Sequence, residues 1–124
     1  MGLKIPKVMI AAVKSGSGKT TVTCAFLKQL LCRKKHPVSF KCGPDYIDPM
    51  FHEQVLKIPS KNLDTFFSDA LQIQALYEME LPGHDIAVLE GVMGLYDGLG
   101  GIREEGSSYH LAKTLDVSII LVVD

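Results

Sequence analysis

The segment Lys14-Ser15-Gly16-Ser17-Gly18-Lys19-Thr20-Thr21 decides the fold of this chain. It follows an apolar run over residues 8–13 and precedes an amphipathic helical pattern over residues 21–34. Its glycines allow successive backbone N–H groups to turn inward around an anion, and the helix presents its positive end to the same anion. A buried strand, this loop and a helix together indicate a Walker A phosphate-binding loop, although Val13 stands where the first glycine is usual.

The side chains of this loop predict ATP and Mg²⁺ as ligands. Lys19 can reach the β- and γ-phosphates, and the Thr20 hydroxyl can bind Mg²⁺. The alternative is a Gly/Ser turn that binds nothing. The predicted nucleotide-binding residues are Lys14, Ser15, Gly16, Ser17, Gly18, Lys19, Thr20 and Thr21.

Lys14 has two interpretations. It resembles the signature lysine of partition and nitrogenase-iron-type ATPases, which reaches phosphates across a dimer. It can equally be a solvated lysine on a turn. A homodimer is therefore left open.

Strands that alternate with helices predict the fold class. Apolar runs without alternation are typical of strands buried on both faces, as in parallel sheets. The predicted strands are 8–13, 37–41, 86–89 and 117–123. The predicted helices are 21–34, one or two within 62–80 with Asn62 and Asp69 as N-caps, and one from Ser107 or Ser108 to Leu115. We therefore expect a P-loop NTPase-like α/β domain with a mostly parallel sheet flanked by helices.

Acidic and cationic residues follow the predicted strands. Asp45 and Asp48 come after the second strand, and Glu90 ends the third in a Walker B arrangement. Lys41 can neutralise charge on a transferring phosphoryl group. Because ligands bind at the carboxyl ends of strands in open α/β sheets, we predict these residues at the site, with Asp97 on a loop above it. The carboxylates of Asp45 and Asp48 can hold Mg²⁺ directly or through water, since hard oxygen ligands suit that ion. An Asx-type turn is the alternative for Asp45.

Composition excludes several classes of protein. The 124 residues carry a net charge of −1 and 47% hydrophobic residues, as a soluble domain does. The chain lacks the excess of basic residues that would indicate nucleic-acid binding. No apolar run reaches the ~18 residues needed to span a membrane, so we expect a cytoplasmic protein. Three cysteines without a CxxC pair argue against disulfides and structural zinc; Cys24 and Cys32 are expected to be buried on one helix.

Two longer motifs carry a family resemblance. The motifs closely resemble the cobyrinic acid a,c-diamide synthase family. They are Lys41-Cys42-Gly43-Pro44-Asp45-Tyr46-Ile47-Asp48-Pro49, continuing through His52, and Glu90-Gly91-Val92-Met93-Gly94-Leu95-Tyr96-Asp97-Gly98. That family consists of ATP-dependent, glutamine-using amidotransferases of cobalamin biosynthesis, and dethiobiotin synthetase is a distant relative with the same fold.

The resemblance implies a mechanism and a domain organisation. ATP phosphorylates a carboxylate of a corrin-type tetrapyrrole, and ammonia displaces phosphate to form the amide. The resemblance implies that Lys19, Thr20, Asp48 and Glu90 lie at Mg-ATP, with Thr20, Asp48 and Glu90 as the Mg²⁺ ligands. It implies Lys41 at the transferring phosphate, and Asp45, Tyr46 and Asp97 on the substrate side. The family's glutaminase domain, which releases the ammonia, is absent from residues 1–124, so we expect the chain to be the truncated N-terminal part of the ATP-binding domain.

Three alternatives stay open on the sequence. The nickel-sirohydrochlorin a,c-diamide synthase of coenzyme F430 synthesis shares the same motifs. A partition-type ATPase switch is favoured by Lys14 and disfavoured by the two long motifs. A truncated domain that binds nucleotide weakly or not at all is the third.

Overall fold

The computed structural model describes residues 5–12, 18–42, 57–63, 69–91 and 108–123. Within these ranges the chain forms five strands and three helices. In chain order they are β1 Lys7–Ala12, α1 Lys19–Cys32, β2 Pro37–Cys42, β3 Ser60–Leu63, α2 Ala70–Met79, β4 Ile86–Glu90, α3 Ser108–Leu115 and β5 Ser118–Val122. The predicted P-loop NTPase-like α/β fold is confirmed.

The five strands form one sheet in the order β3-β2-β4-β1-β5, and every neighbouring pair is parallel. Glu90 lies opposite Ile10 of β1 and opposite Lys41 of β2. Just beyond β4, the Gly91 N–H donates to the Ile10 carbonyl oxygen at 2.8 Å. Because all the strands run the same way, the ends of β1, β2 and β4 meet at one edge.

One face of the sheet carries the larger apolar core. Met9, Phe40 and Leu89 lie there, fully buried, and α2 and α3 pack over them. Full burial of one such side chain stabilises the fold by about 1.5–3 kcal/mol. The α2 and α3 side chains in this core are Ile73, Tyr77, Leu111, Ala112 and Leu115.

Tyr77 anchors α2 in this core. Its ring lies 5.0 Å from the Phe40 ring, centroid to centroid, and the Lys7 ammonium group lies 5.9 Å from its centroid. The same ammonium group donates to the Leu115 carbonyl at 2.7 Å, which joins β1 to the end of α3. Burial, with a smaller contribution from the charge of Glu78, raises the pKa of Tyr77 from 10.0 to about 12.

The other face changes character along the strands. Ile10 and Val88 form a smaller apolar cluster with Leu27 of α1 and Ile58. Nearer the carboxyl edge, this face carries the buried Lys41 and Glu90 instead. The helix α1 packs on β1, β4 and β2 here, and its inward line is Lys19, Thr23 and Leu27, which are spaced by four residues.

Local hydrogen bonds explain where α1 ends and where α2 begins. Lys34 has φ +61° after α1, and Lys34 and Lys35 donate backbone hydrogen bonds to Leu31 and Leu30, both at 3.0 Å. This is a Schellman motif with lysine in the left-handed position that glycine usually holds. At α2, the predicted N-cap Asp69 is confirmed, and it forms a capping box with Gln72.

One strand was missed on the sequence, and two predictions about local structure are wrong. The strand β3 was not predicted, because it has only four residues and lacks a β-branched run. Asn62 lies inside β3 rather than capping a helix. Cys32 is exposed and Cys24 half-buried, because α1 turns its Lys19–Thr23–Leu27 line inward instead.

Candidate functional site

The last residues of the predicted phosphate-binding loop, from Gly18 onward, lead into the start of α1. Gly18 precedes the helix with φ +82°, which an L-residue with a side chain rarely adopts, and its carbonyl accepts from the Val22 N–H at 3.0 Å. Lys19 follows and is 9% exposed, and its own carbonyl accepts from the Thr23 hydroxyl at 2.8 Å. The positive end of α1, with Lys19 in its first turn, therefore lies at the carboxyl edge of β1.

Only some of the other residues of the predicted loop are among the described residues. Thr20 and Thr21 lie in the first turn of α1 and are exposed. Lys14, Ser15, Gly16 and Ser17 lie outside the described residues. The structure thus describes the helical half of the loop, and the roles of all eight residues stay predictions.

A buried ion pair joins β2 to β4 at the same edge. The Lys41 ammonium group contacts Oε2 of Glu90, and it lies 3.4 Å from the Gly91 carbonyl oxygen. Lys41 is 3% exposed and Glu90 is 0% exposed. Water therefore screens this pair little, and each charge depends on protein groups for its stabilisation. The sequence predicted both residues at the site, and the structure brings them into contact.

The local fold explains why these charges are buried. Val38 and Phe40 alternate with Ser39 and Lys41 along β2, so the apolar pair enters the larger core and the polar pair faces α1. Glu90 alternates in the same way with Leu89. The end of β4 is thereby fixed by apolar packing on one face while its carboxylate is held on the other.

The remaining predicted site residues are not described. Asp45, Tyr46, Asp48 and Asp97 lie in ranges 43–56 and 92–107, outside the described residues. Their roles on the substrate side and, for Asp48, at the metal remain predictions.

Magnesium is compatible with the donors that are described. Thr20 supplies a hydroxyl oxygen and Glu90 a carboxylate, and Mg²⁺ prefers oxygen ligands of this kind while keeping several waters. Among the described residues, no three His, Cys, Asp or Glu side chains group together as a metal site.

Sequence reasoning missed three polar residues on the same face as the ion pair. Ser39 and Ser60 are buried and lie opposite each other on β2 and β3, and Asn62 lies opposite Lys41. The alternation Val38-Ser39-Phe40-Lys41 was the available signal for Ser39. For the two residues on β3 no comparable signal existed, because the strand itself was missed.

Comparison with known proteins assigns the fold to a family. The chain matches the CobQ/CobB/MinD/ParA nucleotide binding domain over residues 8–122. It belongs to this family. The match covers the five strands from Val8 of β1 to the end of β5, so the chain is a nucleotide-binding domain of this kind.

Several curated relatives are cobyrinate a,c-diamide synthases. The synthase of Synechocystis sp. is 43% identical to this chain, in an alignment that covers 94% of this chain. The synthase of Gloeobacter violaceus is 46% identical over 94% of this chain, and that of Thermoplasma acidophilum is 42% identical over 98% of it. The predicted resemblance to this synthase family is confirmed. The chain spans about a quarter of the length of these relatives. In the part of the chain that the structure describes, no helix is long and apolar enough to cross a bilayer.

Proposed function

We propose that this chain forms the ATP-binding part of an enzyme that amidates the a and c carboxylates of cobyrinic (or hydrogenobyrinic) acid. The observation that carries the proposal is the buried Lys41–Glu90 pair, held at the sheet edge where the phosphate-binding helix begins. The names of the curated relatives supply the substrate class. The enzyme is a carboxylate–amide ligase of cobalamin biosynthesis in this proposal.

The first step forms an acyl phosphate. The loop from Lys14 to Thr21 and the start of α1 bind the phosphates of ATP, with Lys19 at the β- and γ-phosphates. A carboxylate oxygen of the tetrapyrrole attacks the γ-phosphorus, and the bond from that phosphorus to the bridging oxygen breaks to release ADP. Lys41 neutralises charge that develops on the transferring group, in a site where burial strengthens the interaction.

Mg²⁺ would be bound by Thr20, Asp48 and Glu90, and would neutralise charge on the phosphates. Asp45, Tyr46 and Asp97 are proposed to contact the tetrapyrrole.

The second step forms the amide. The nitrogen of ammonia attacks the acyl carbon, the carbon–oxygen bond to phosphate breaks, and the nitrogen loses one proton as phosphate departs. We propose that the ammonia is released from glutamine by a glutaminase domain that is not among these 124 residues, and that the protein acts in the cytoplasm. No specific observation favours the two alternative functions. The relatives cited are cobyrinate synthases rather than nickel-sirohydrochlorin enzymes, and Lys14, on which the partition-type alternative depends, lies outside the described residues.

The direct test supplies ammonia as an ammonium salt, so that no glutaminase is needed. The protein is incubated with ATP, Mg²⁺ and cobyrinic acid, and ADP and the diamide are measured by coupled assay and mass spectrometry. We expect ADP formation that depends on cobyrinic acid. ADP formation that ignores cobyrinic acid and rises with DNA would instead support a partition-type switch.

A variant pair on α1 tests the nucleotide assignment. Lys19→Ala should abolish ATP binding, measured by calorimetry, because it removes the cation at the start of the helix. Lys28→Ala is the matched control, since Lys28 is exposed on the same helix. Unchanged ATP affinity in Lys19→Ala would contradict the assignment.

A further inference from the structure

A row of three polar residues crosses the carboxyl edge of β3, β2 and β4. Asn62 lies opposite Lys41, and Lys41 lies opposite Glu90. Residues in register on parallel strands point to the same face, and neighbouring strands are about 4.8 Å apart. Lys41 therefore has a polar neighbour on each side: the Glu90 carboxylate, which it contacts, and the Asn62 amide.

Asn62 brings a side-chain carbonyl oxygen to the β3 end of this row. Oδ1 is buried, and among the described residues no donor lies within hydrogen-bond distance of it. An amide oxygen removed from water without a hydrogen bond destabilises the folded state, and such atoms are rare in proteins. Leu63, the next residue, is buried in the larger core on the opposite face and fixes the strand. Asn62 thus offers a buried acceptor at the site.

The proposed function, on which this inference rests, gives Lys41 and Glu90 different partners. Lys41 serves the transferring phosphoryl group, and Glu90 serves the cation that accompanies ATP. The contact with Oε2 of Glu90 uses one of the three donors of the Lys41 ammonium group and leaves the others for further acceptors. When Glu90 turns toward the nucleotide, Oδ1 of Asn62 can accept from the Lys41 ammonium group alongside the Gly91 carbonyl oxygen, which lies 3.4 Å from that group.

We propose that Asn62 is a positioning residue for Lys41. During phosphoryl transfer, the Lys41 ammonium group donates one hydrogen bond to Oδ1 of Asn62 and directs another N–H toward the phosphoryl group. An ammonium group has three donors and no acceptor, so it can make both bonds together. The flexible four-carbon stem of lysine allows the ammonium group to move from the β4 side to the β3 side of its own strand.

Two substitutions at Asn62 separate this role from its alternatives. Asn62→Leu has a similar size and lacks the acceptor, so we expect kcat for ADP formation to fall about 10- to 100-fold, as catalytic groups misplaced by about 1 Å do. ATP affinity should not change, because Asn62 is three strands away from β1. Asn62→Asp keeps the acceptor oxygen and should retain most of the parent kcat. If the Asn62 amide instead acted by donating to a phosphate or carboxylate, Asn62→Asp would also lose kcat, because its negative charge repels those groups.

Thermal unfolding without ligand distinguishes this role from a structural one. Asn62→Leu removes a buried oxygen that has no donor among the described residues, so its Tm should equal or exceed that of the parent. A purely structural residue would lower the Tm and leave kcat per folded molecule unchanged. Ser60→Ala is the control, since Ser60 is a buried polar residue one pleat earlier on the same strand and face; its kcat should match the parent.

Lys41→Met separates failure of this inference from failure of the proposed function. Loss of turnover in Lys41→Met together with normal kcat in Asn62→Leu would overturn the positioning role alone. Full turnover in Lys41→Met would overturn the proposed function as well. Loss of kcat in Asn62→Leu, with rescue by Asn62→Asp and unchanged ATP affinity, is the result that the positioning role requires.

Discussion

Removal of one member of the buried ion pair should destabilise the protein far more than removal of both. Lys41 and Glu90 are 3% and 0% exposed, so a single substitution leaves a buried charge that water does not reach. Breaking such a pair costs about 3–5 kcal/mol, whereas replacing both members with apolar residues of similar size is often neutral. We therefore expect Lys41→Met and Glu90→Leu each to lose about 3 kcal/mol or more, and the double variant to lose much less than their sum.

Urea unfolding followed by circular dichroism measures this coupling. With an m-value of about 1.5 kcal/mol/M, a loss of about 3 kcal/mol lowers the urea midpoint by about 2 M in each single variant. Lys28→Met, on the exposed face of α1, should stay within about 0.5 kcal/mol of the parent and serves as the control. If the two losses simply add in the double variant, Lys41 and Glu90 do not interact in solution, and the central geometry of the site is incorrect.

Three further predictions concern the scaffold. Burial raises the pKa of Tyr77 to about 12, so the unfolded chain loses this proton at lower pH than the folded chain does, and the free energy of unfolding should fall by up to about 3 kcal/mol between about pH 10 and 12. Urea unfolding across that window should show the fall in the parent and a smaller one in Tyr77→Phe; parallel curves would refute it. Lys34→Gly should raise the free energy of unfolding by about 0.5–1 kcal/mol, since glycine adopts the left-handed conformation at φ +61° without the strain that lysine carries; a lower urea midpoint would contradict this. Asp69→Ala should cost about 1 kcal/mol through loss of the capping box, measured by thermal unfolding, while Gln74→Ala on the same helix should cost at most about 0.5 kcal/mol; equal losses would show that capping is not the cause.

Much of the fold could be predicted because its strongest signals are local. Continuous apolar runs identified β1, β4 and β5 to within one residue at each described end, and the glycine-rich segment predicted the strand–loop–helix unit around Gly18. The strand β3 could not be predicted in the same way. Its four residues, Ser60-Lys61-Asn62-Leu63, become a strand because Phe40 and its neighbours on β2 offer a parallel partner, and that information is tertiary.

The position of Lys41 and Glu90 at one edge of the sheet could be predicted, and their direct contact could not. A lysine and a glutamate at the ends of two strands could be assigned to one edge of a parallel sheet from the sequence alone. Their direct contact depends on the order β2-β4-β1, which places Lys41 beside Glu90 rather than beside β1. Asn62 was missed for the same reason, since only the pairing of β3 with β2 reveals it as a neighbour of Lys41.

Positional isotope exchange tests the central claim most directly. ATP labelled with heavy oxygen at the bridge between the β- and γ-phosphorus atoms is incubated with the protein, Mg²⁺ and cobyrinic acid, without ammonia. If a carboxylate reversibly takes the γ-phosphoryl group, the label moves to non-bridging positions of ATP only when cobyrinic acid is present, and Lys41→Met slows this exchange. The absence of exchange with cobyrinic acid, while ADP still forms, would contradict carboxylate phosphorylation at this site.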